Sequence, residues 1–292
     1  MNMAVCKFGG TSLADGNNIK RAAEILLSDP ARKYVVVSAP GKRFSEDVKV
    51  TDLLYACYQE SAQTGSCGEA FAKIRKRFQS IVDELGLHFD IQPILDKTEA
   101  EIVARKSADF AASRGEYLNA RIMEALLGWE FVDAKDIIFF DAKGAFDEKK
   151  SYPLIEERLK RAGHAVVPGF YGTDADGNIK TFSRGGSDIS GSIVARAVNA
   201  DVYENWTDVS GFLACDPRIV KNPEKIEVIS FKELRELSYM GANVLHAEAI
   251  FPVRKGDIPI KIKNTFRPED AGTLILPSKK YTPHGNIVTG IA

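Results

Sequence analysis

Two kinds of apolar segment alternate along the chain. Short runs bounded by glycine or polar turns occur at residues 4–8, 34–38, 136–141, 165–170, 201–208, 258–263 and 273–276. Runs of that length and setting predict buried strands. Between most of them apolar residues recur at helical spacing, as at Ile19, Ala22, Ala23, Leu26 and Leu27 within residues 17–27. Alternating strands and helices predict an α/β fold with a mainly parallel sheet covered by helices. Residues 173–178, reading Thr-Asp-Ala-Asp-Gly-Asn, predict an antiparallel hairpin inserted in that pattern, which makes the sheet mixed. Residues 51–128 carry no convincing strand and predict several helices, one of them amphipathic from Glu116 with Leu118, Ile122, Met123 and Leu126 on one face. No internal repeat or low-complexity linker divides the chain before about Pro277. The polar stretch that follows leads to residues 286–292, which read as the start of another strand.

Composition narrows the function classes. With 292 residues, 45% of them hydrophobic, the chain can bury a sizeable core. Lys and Arg number 39 against 40 Asp and Glu, a net charge of -1, so no broad basic field is available for nucleic acid or an anionic membrane. Small molecules are the expected partners. Cys6, Cys57, Cys67 and Cys215 form no CxxC pair and the histidines lack ligand spacing, so neither a disulfide framework nor a metal site of the chain's own is expected. With no signal-peptide pattern and no run of about 18 apolar residues, this predicts a soluble cytoplasmic protein.

Candidate chemistry begins at Lys7-Phe8-Gly9-Gly10-Thr11-Ser12, where the first strand runs toward a helix. Glycines there let backbone N–H groups approach an anion and Lys7 adds a charge, although a tight turn with a solvent-tipped lysine explains the same residues. A second glycine-rich stretch, Phe182-Ser183-Arg184-Gly185-Gly186-Ser187-Asp188, opens another helix. Unsatisfied N–H groups and a partial positive charge favour an anion at that end, and Arg184 suits a bidentate contact. Ser187 as a cap and Asp188 as a first-turn acid are the alternative. Neither loop is a GxxxxGK[ST] or GxGxxG motif. Ser113-Arg114-Gly115-Glu116 fits a capping box, with Glu116 also able to hold an ammonium group. Thr51 reads as an N-cap or as a hydroxyl facing a ligand. Thr207-Asp208 ends a strand, where ligands of open α/β sheets bind, and Asp216-Pro217-Arg218 reads as a turn presenting Arg218.

These motifs, in this order from Lys7 to about Leu276, resemble the aspartate kinase family within the amino acid kinases. Trp206-Thr-Asp-Val-Ser-Gly, Gly241-Ala-Asn-Val-Leu-His246 and Lys263-Asn-Thr-Phe266 complete the set. The resemblance implies the amino acid kinase fold, a three-layer αβα sandwich with two lobes. It implies ATP-dependent phosphorylation of the L-aspartate side chain to 4-phospho-L-aspartate, with Mg2+, in the pathways to lysine, threonine and methionine. Lys7 and Asp188 would be catalytic. Thr51, Glu116, Arg184 and Ser187 would hold aspartate, and Lys7, Phe8, Gly9, Gly10, Thr207, Asp208, Leu213, Asp216, Arg218 and Asn243 the nucleotide. Asn243 stands where the family usually has a lysine, Leu213 where it has a tyrosine, and Ala247 where a proline commonly follows His246. By the same resemblance, residues 1–276 would be the catalytic domain, with an aspartate-binding N-terminal lobe and an ATP-binding C-terminal lobe. Residues 277–292 would be a linker and the start of an ACT regulatory region, through which the parent protein would form a homo-oligomer.

Overall fold

The structure is a computed structural model that describes residues 3–105, 107–183, 185–216, 218–239, 245, 249–282 and 289–290. β1 (Ala4–Phe8) is buried throughout and leads through a 3-10 turn at Thr11–Leu13 into α1 (Gly16–Leu27), where Asp15 caps the Asn18 amide. β2 (Arg32–Val37) is followed by α2 (Val50–Thr64), α3 (Gly68–Leu85), α4 (Gln92–Arg105) and α5 (Ala108–Leu127). Then come β3 (Glu130–Phe131), α6 (Glu148–Ala162), β4 (Ala165–Pro168) and the hairpin β5 (Tyr171–Thr173) with β6 (Ile179–Thr181). α7 (Gly186–Ala197) and β7 (Val202–Thr207) precede the short strands β8 (Phe212–Leu213), β9 (Lys225–Ile226) and β10 (Val228–Ser230). α8 (Phe231–Tyr239), α9 (Phe251–Lys255), β11 (Ile260–Asn264) and β12 (Thr273–Leu276) complete the described elements.

Eight strands form one sheet in the order β10-β12-β11-β7-β1-β2-β4-β3. Every neighbouring pair is parallel except β11 with β12, so the sheet is mixed. Strand alternation divides the core in two. Val5, Tyr34, Val36, Val167, Tyr203 and Ile262 face a layer containing Ile155 and Leu159 of α6, Ile193 of α7 and Leu234 of α8. Cys6, Phe8, Val35, Val37 and Trp206 face the layer of α1 to α5, with Ile19, Leu54, Phe78, Leu95 and Leu118 among its packed side chains. The three-layer αβα arrangement implied by the family resemblance is therefore present. Because the central strands are parallel, their carboxyl ends lie on one edge, and the loops at residues 9–15, 38–49, 207–211 and 265–270 gather there.

Several local expectations are corrected. Residues 136–141 are not a strand: a 3-10 turn occupies Ala134–Asp136 and only single bridges follow at Phe139 and Phe140. Their amides are shared out, Phe139 N to Ser151 Oγ and Phe140 N to Thr173 O, so no continuous ladder forms. The hairpin exists as its own two-stranded sheet, outside the large one. Helix α5 begins at Ala108 with Ser107 as N-cap, not at Ser113. Ser113 lies in the helix interior, where its hydroxyl turns back to donate to Phe110 O at 2.7 Å. Thr51 is likewise inside α2, whose N-cap is Lys49. The two- and three-residue strands β3, β8, β9 and β10 are too short to show a period in sequence. Of residues 286–292 only 289–290 are described, and they are not in a strand. All four cysteines are unbridged, and among the described residues no helix is long and apolar enough to cross a membrane.

Candidate active site

Lys7 shares the strand face of Val5, so it projects toward α7 and away from the α1 to α5 layer. Its register partner on β7 is Asn205, which shares the face of Tyr203. Both converge on Asp188 in the first turn of α7. Lys7 Nζ lies 2.6 Å from Asp188 Oδ1, and Asn205 Nδ2 donates to the same oxygen at 2.7 Å. The Tyr203 hydroxyl donates to the Asp188 carbonyl at 3.2 Å, pinning the helix start to β7. Lys7 is only 6% exposed. A buried ammonium matched to one carboxylate with a neutral donor beside it is a charge centre already held in position. Asp188 is thus more than a dipole partner for its helix: its Oδ1 holds Lys7 and Asn205 at once.

Glu116 comes from the buried face of α5. Burial pushes its carboxyl up to about 8 from an ordinary 4.5, against smaller downward pulls from the Ala39 amide, its own backbone N–H, the Ser187 hydroxyl and Arg114. Its Oε2 is buried with no hydrogen-bond partner. A buried orphan oxygen on a carboxylate is costly unless a ligand completes it. Ser187 faces Glu116 and adjoins Asp188, so the two clusters form one continuous site. Arg114 is buried under Phe110, Tyr117 and Tyr171, at 4.5, 4.5 and 5.3 Å from the ring centroids, and donates to Ser113 Oγ. The Ser-Arg-Gly-Glu motif therefore works as one helical turn. Gly115 gives way to Ala39, whose Cβ lies 2.7 Å from where a Gly115 Cβ would stand.

The floor of the site is the contact of two loops. Gly41 N donates to Gly10 O at 2.8 Å, and a Cβ on Gly41 would lie 2.6 Å from Gly10 C. Gly9 N donates to Trp206 O, and Lys7 Nζ would be 3.6 Å from a Gly9 Cβ. The Thr265 hydroxyl donates to Ser12 Oγ at 2.7 Å while its amide donates to Thr207 O at 2.8 Å, tying the first glycine loop to the end of β7.

The residues expected at the nucleotide are placed more loosely. Thr207 and Asp208 stand at the carboxyl end of β7, their side chains 3.3 Å apart. Leu213 lies in β8 and is 38% exposed. Arg218 is directed at Asp216, with Nη2 2.6 Å from Oδ2, and among the described residues no hydrogen bond or ion pair joins this pair to Lys7 or Asp188. Phe8 is buried, stacked on Trp206 at 5.8 Å, so only its backbone faces the loop: Ser38 N donates to its carbonyl. Thr51 is half-buried at the second position of α2. Arg184 and Asn243 lie outside the described residues. Among the described residues no three His, Cys, Asp or Glu gather into a metal-binding group.

Asn205, Ala39, Gly41 and Asn119 join the site without having been expected. Asn119 lies one turn after Glu116 and donates from Nδ2 to Ser38 O at 2.7 Å. A Pro-Gly turn directly after a parallel strand was the available signal for Ala39 and Gly41. For Asn205 nothing short of strand register could have served.

The sequence profile of the amino acid kinase family matches residues 2–264. The chain belongs to the amino acid kinase family. It is 40% identical over 307 residues to aspartokinase 3 of Bacillus subtilis, a match that covers 99% of this chain and 66% of that protein. Among solved structures, the aspartate kinase of Clostridium acetobutylicum superposes with a TM-score of 0.94 at 52% identity, covering 99% of this chain and 66% of its own. Aspartokinase III of Escherichia coli, solved in complex with aspartate and ADP, gives 0.81 at 28% identity, covering 94% and 65%. This family member thus spans somewhat less than two thirds of each of those chains.

Proposed function

We propose that this chain transfers the γ-phosphoryl group of ATP to the side-chain carboxylate of L-aspartate. The observation that carries this reading is the joining, in one small space, of Glu116, a buried acid with an orphan oxygen, and the buried Lys7–Asp188 pair. Glu116 and Ser187 would take the substrate ammonium group, leaving its side-chain carboxylate toward Lys7. Arg184 and Thr51 would complete the amino-acid side. Gly9, Gly10, Thr207, Asp208, Leu213, Asp216, Arg218 and Asn243 would serve the nucleotide. Similarity to aspartokinases over nearly the whole chain supports the choice of aspartate within the family. On this reading residues 1–276 are the catalytic unit, with aspartate on the N-terminal lobe and ATP on the C-terminal lobe.

An aspartate side chain with an ordinary pKa of about 3.9 is ionised at neutral pH, so the nucleophile needs no base. The chain's task is to offset repulsion between that carboxylate and the phosphates. Lys7 does this, and Asp188 with Asn205 keeps its ammonium aimed. The new bond joins a carboxylate oxygen to phosphorus, and the bond to the bridging oxygen breaks with its electron pair leaving on ADP. Magnesium would neutralise phosphate charge. Since Asp188 is already engaged, the ion would arrive held chiefly by the nucleotide, as small hard cations commonly are.

The test is ATP consumption with aspartate, glutamate, acetylglutamate and UMP, with hydroxylamine trapping of any acyl phosphate. An aspartate-dependent hydroxamate is expected. Turnover only with another acceptor would move the chain elsewhere in the family, and binding without turnover would make it a sensor.

A further inference from the structure

The segment between β2 and α2 touches both halves of the candidate site. Ala39 presents its amide to Glu116, and two residues later Gly41 is packed on Gly10. Neither residue lies in a helix or strand, so their spacing is not set by regular backbone hydrogen bonds. One side chain spans the junction. Arg77 reaches from α3 with 5% of its surface exposed. Its Nη2 donates to Ala14 O at 2.8 Å, just past the first glycine loop, and to Gly41 O at 2.7 Å, beneath that loop. Its Nη1 donates to Asp47 Oδ2 at 2.6 Å, at the far end of the 38–49 segment. Asp47 is gripped a second time by the Arg43 backbone N–H and guanidinium. Those partners hold the Asp47 carboxyl well below the usual carboxylate range.

Replacing a buried ion pair by well-packed apolar side chains of the same volume is often neutral or stabilising. What only a planar guanidinium can do here is bind two carbonyls from segments remote in sequence and a carboxylate at once. We infer that Arg77 is a positioning residue for phosphoryl transfer: it fixes the 39–41 turn against Gly10 and Ala14, and so sets the spacing between the anion loop and Glu116. The inference rests on the function proposed above, because that reading makes this spacing consequential.

The test compares Arg77→Met, Arg77→Lys and Asp47→Asn with the parent chain by hydrogen exchange and by steady-state kinetics. In Arg77→Met, amides in residues 9–14 and 39–47 should exchange faster while those of β7 and α7 do not change, and kcat/KM for aspartate should fall by on the order of tenfold or more. Arg77→Lys, which keeps the charge but not the fork, should recover part of the kinetic loss, and Asp47→Asn should loosen 39–47 more than 9–14. Should Arg77→Met fail to fold, the same two comparisons are made with Arg77→Lys and Asp47→Asn. Unchanged exchange in both segments, or faster exchange spread evenly over the chain, would overturn the proposal. If the parent chain shows no turnover with aspartate, the functional reading fails separately, while localised exchange would still uphold the link made by Arg77.

Discussion

The two ends of the candidate site are built differently. At one end Lys7, Asp188, Asn205, Glu116 and Ser187 are buried or nearly so and locked to one another across β1, β7, α5 and α7. Around residues 209–220 the chain instead exposes Val209, Leu213, Val220 and Ile219, the last at 83%, and Arg218 is paired with its near neighbour Asp216. Charges fixed in a buried frame need no rearrangement when charge develops between them, whereas exposed side chains must be ordered by the ligand and so give less for each contact. Under the proposed function, the chemistry would sit in the sheet, while nucleotide recognition would fall to side chains that the ligand has to gather.

The strongest way to break this contrast is Lys7→Ala. Loss of one preorganised donor costs about 2.7–4 kcal/mol in transition-state stabilisation, or about 10²–10³ in kcat. The expected result is that kcat falls far more than KM for aspartate rises; the reverse split would move Lys7 out of the chemical step.

Glu116→Gln should come next, with KM for aspartate raised by on the order of tenfold or more and a change in pH dependence. The Glu116 carboxyl, at about 8 in the folded chain against an ordinary 4.5, is mostly protonated near neutral pH in the free protein. An ammonium ligand favours the ionised form, so KM for aspartate should fall as pH rises from 6 to 8 in the parent chain and stay level in Glu116→Gln. The same shift has a sign for stability. The folded state holds a proton that the unfolded state releases above 4.5, so stability falls as pH rises from there toward 8. Denaturant melts at pH 5 and pH 8 should show a smaller difference in Glu116→Gln than in the parent.

Asn205→Leu removes one donor from Asp188 without removing the ion pair. A loss of about 1.5–3 kcal/mol is ordinary for a hydrogen bond to a charged group, so kcat should drop by about tenfold to a hundredfold. No change in kcat would mean that the Lys7–Asp188 pair holds its aim unaided. The smallest effect belongs to the exposed end: Arg218→Ala should raise KM for ATP only a few-fold, because an exposed ion pair contributes little on its own. A change in KM for ATP as large as the kcat loss of Lys7→Ala would erase the contrast.

Much of this was legible in residue order. The central strands show as short apolar runs because both of their faces are buried, and the four helices of residues 50–127 show because no strand pattern interrupts them. Lys7, Glu116 and Asp188 were found because each sits in a glycine- or capping-type motif. Those motifs misled about local roles: Ser113 and Thr51 carry capping chemistry but lie inside helices that start earlier. Propensity ranks residues by what they do at an end, and cannot say where the end falls once neighbours such as Ala108, Ala111 and Ala112 extend the helix upstream.

Sequence alone determined the α/β class, the two glycine-rich loops and the chemical types available at them, because these depend on periodicity and on residues near one another in the chain. Tertiary structure decided the pairings. Lys7 meets Asp188 only because β1 lies beside β7 in a register that sets Lys7 against Asn205. Glu116 loses its water only because α5 packs against Ala39 and the start of α7, and Arg77 finds Gly41 only because α3 folds back over the first loop. Each of these contacts joins residues distant in sequence. Their energies come from burial and geometry, which a residue acquires from its neighbours in space.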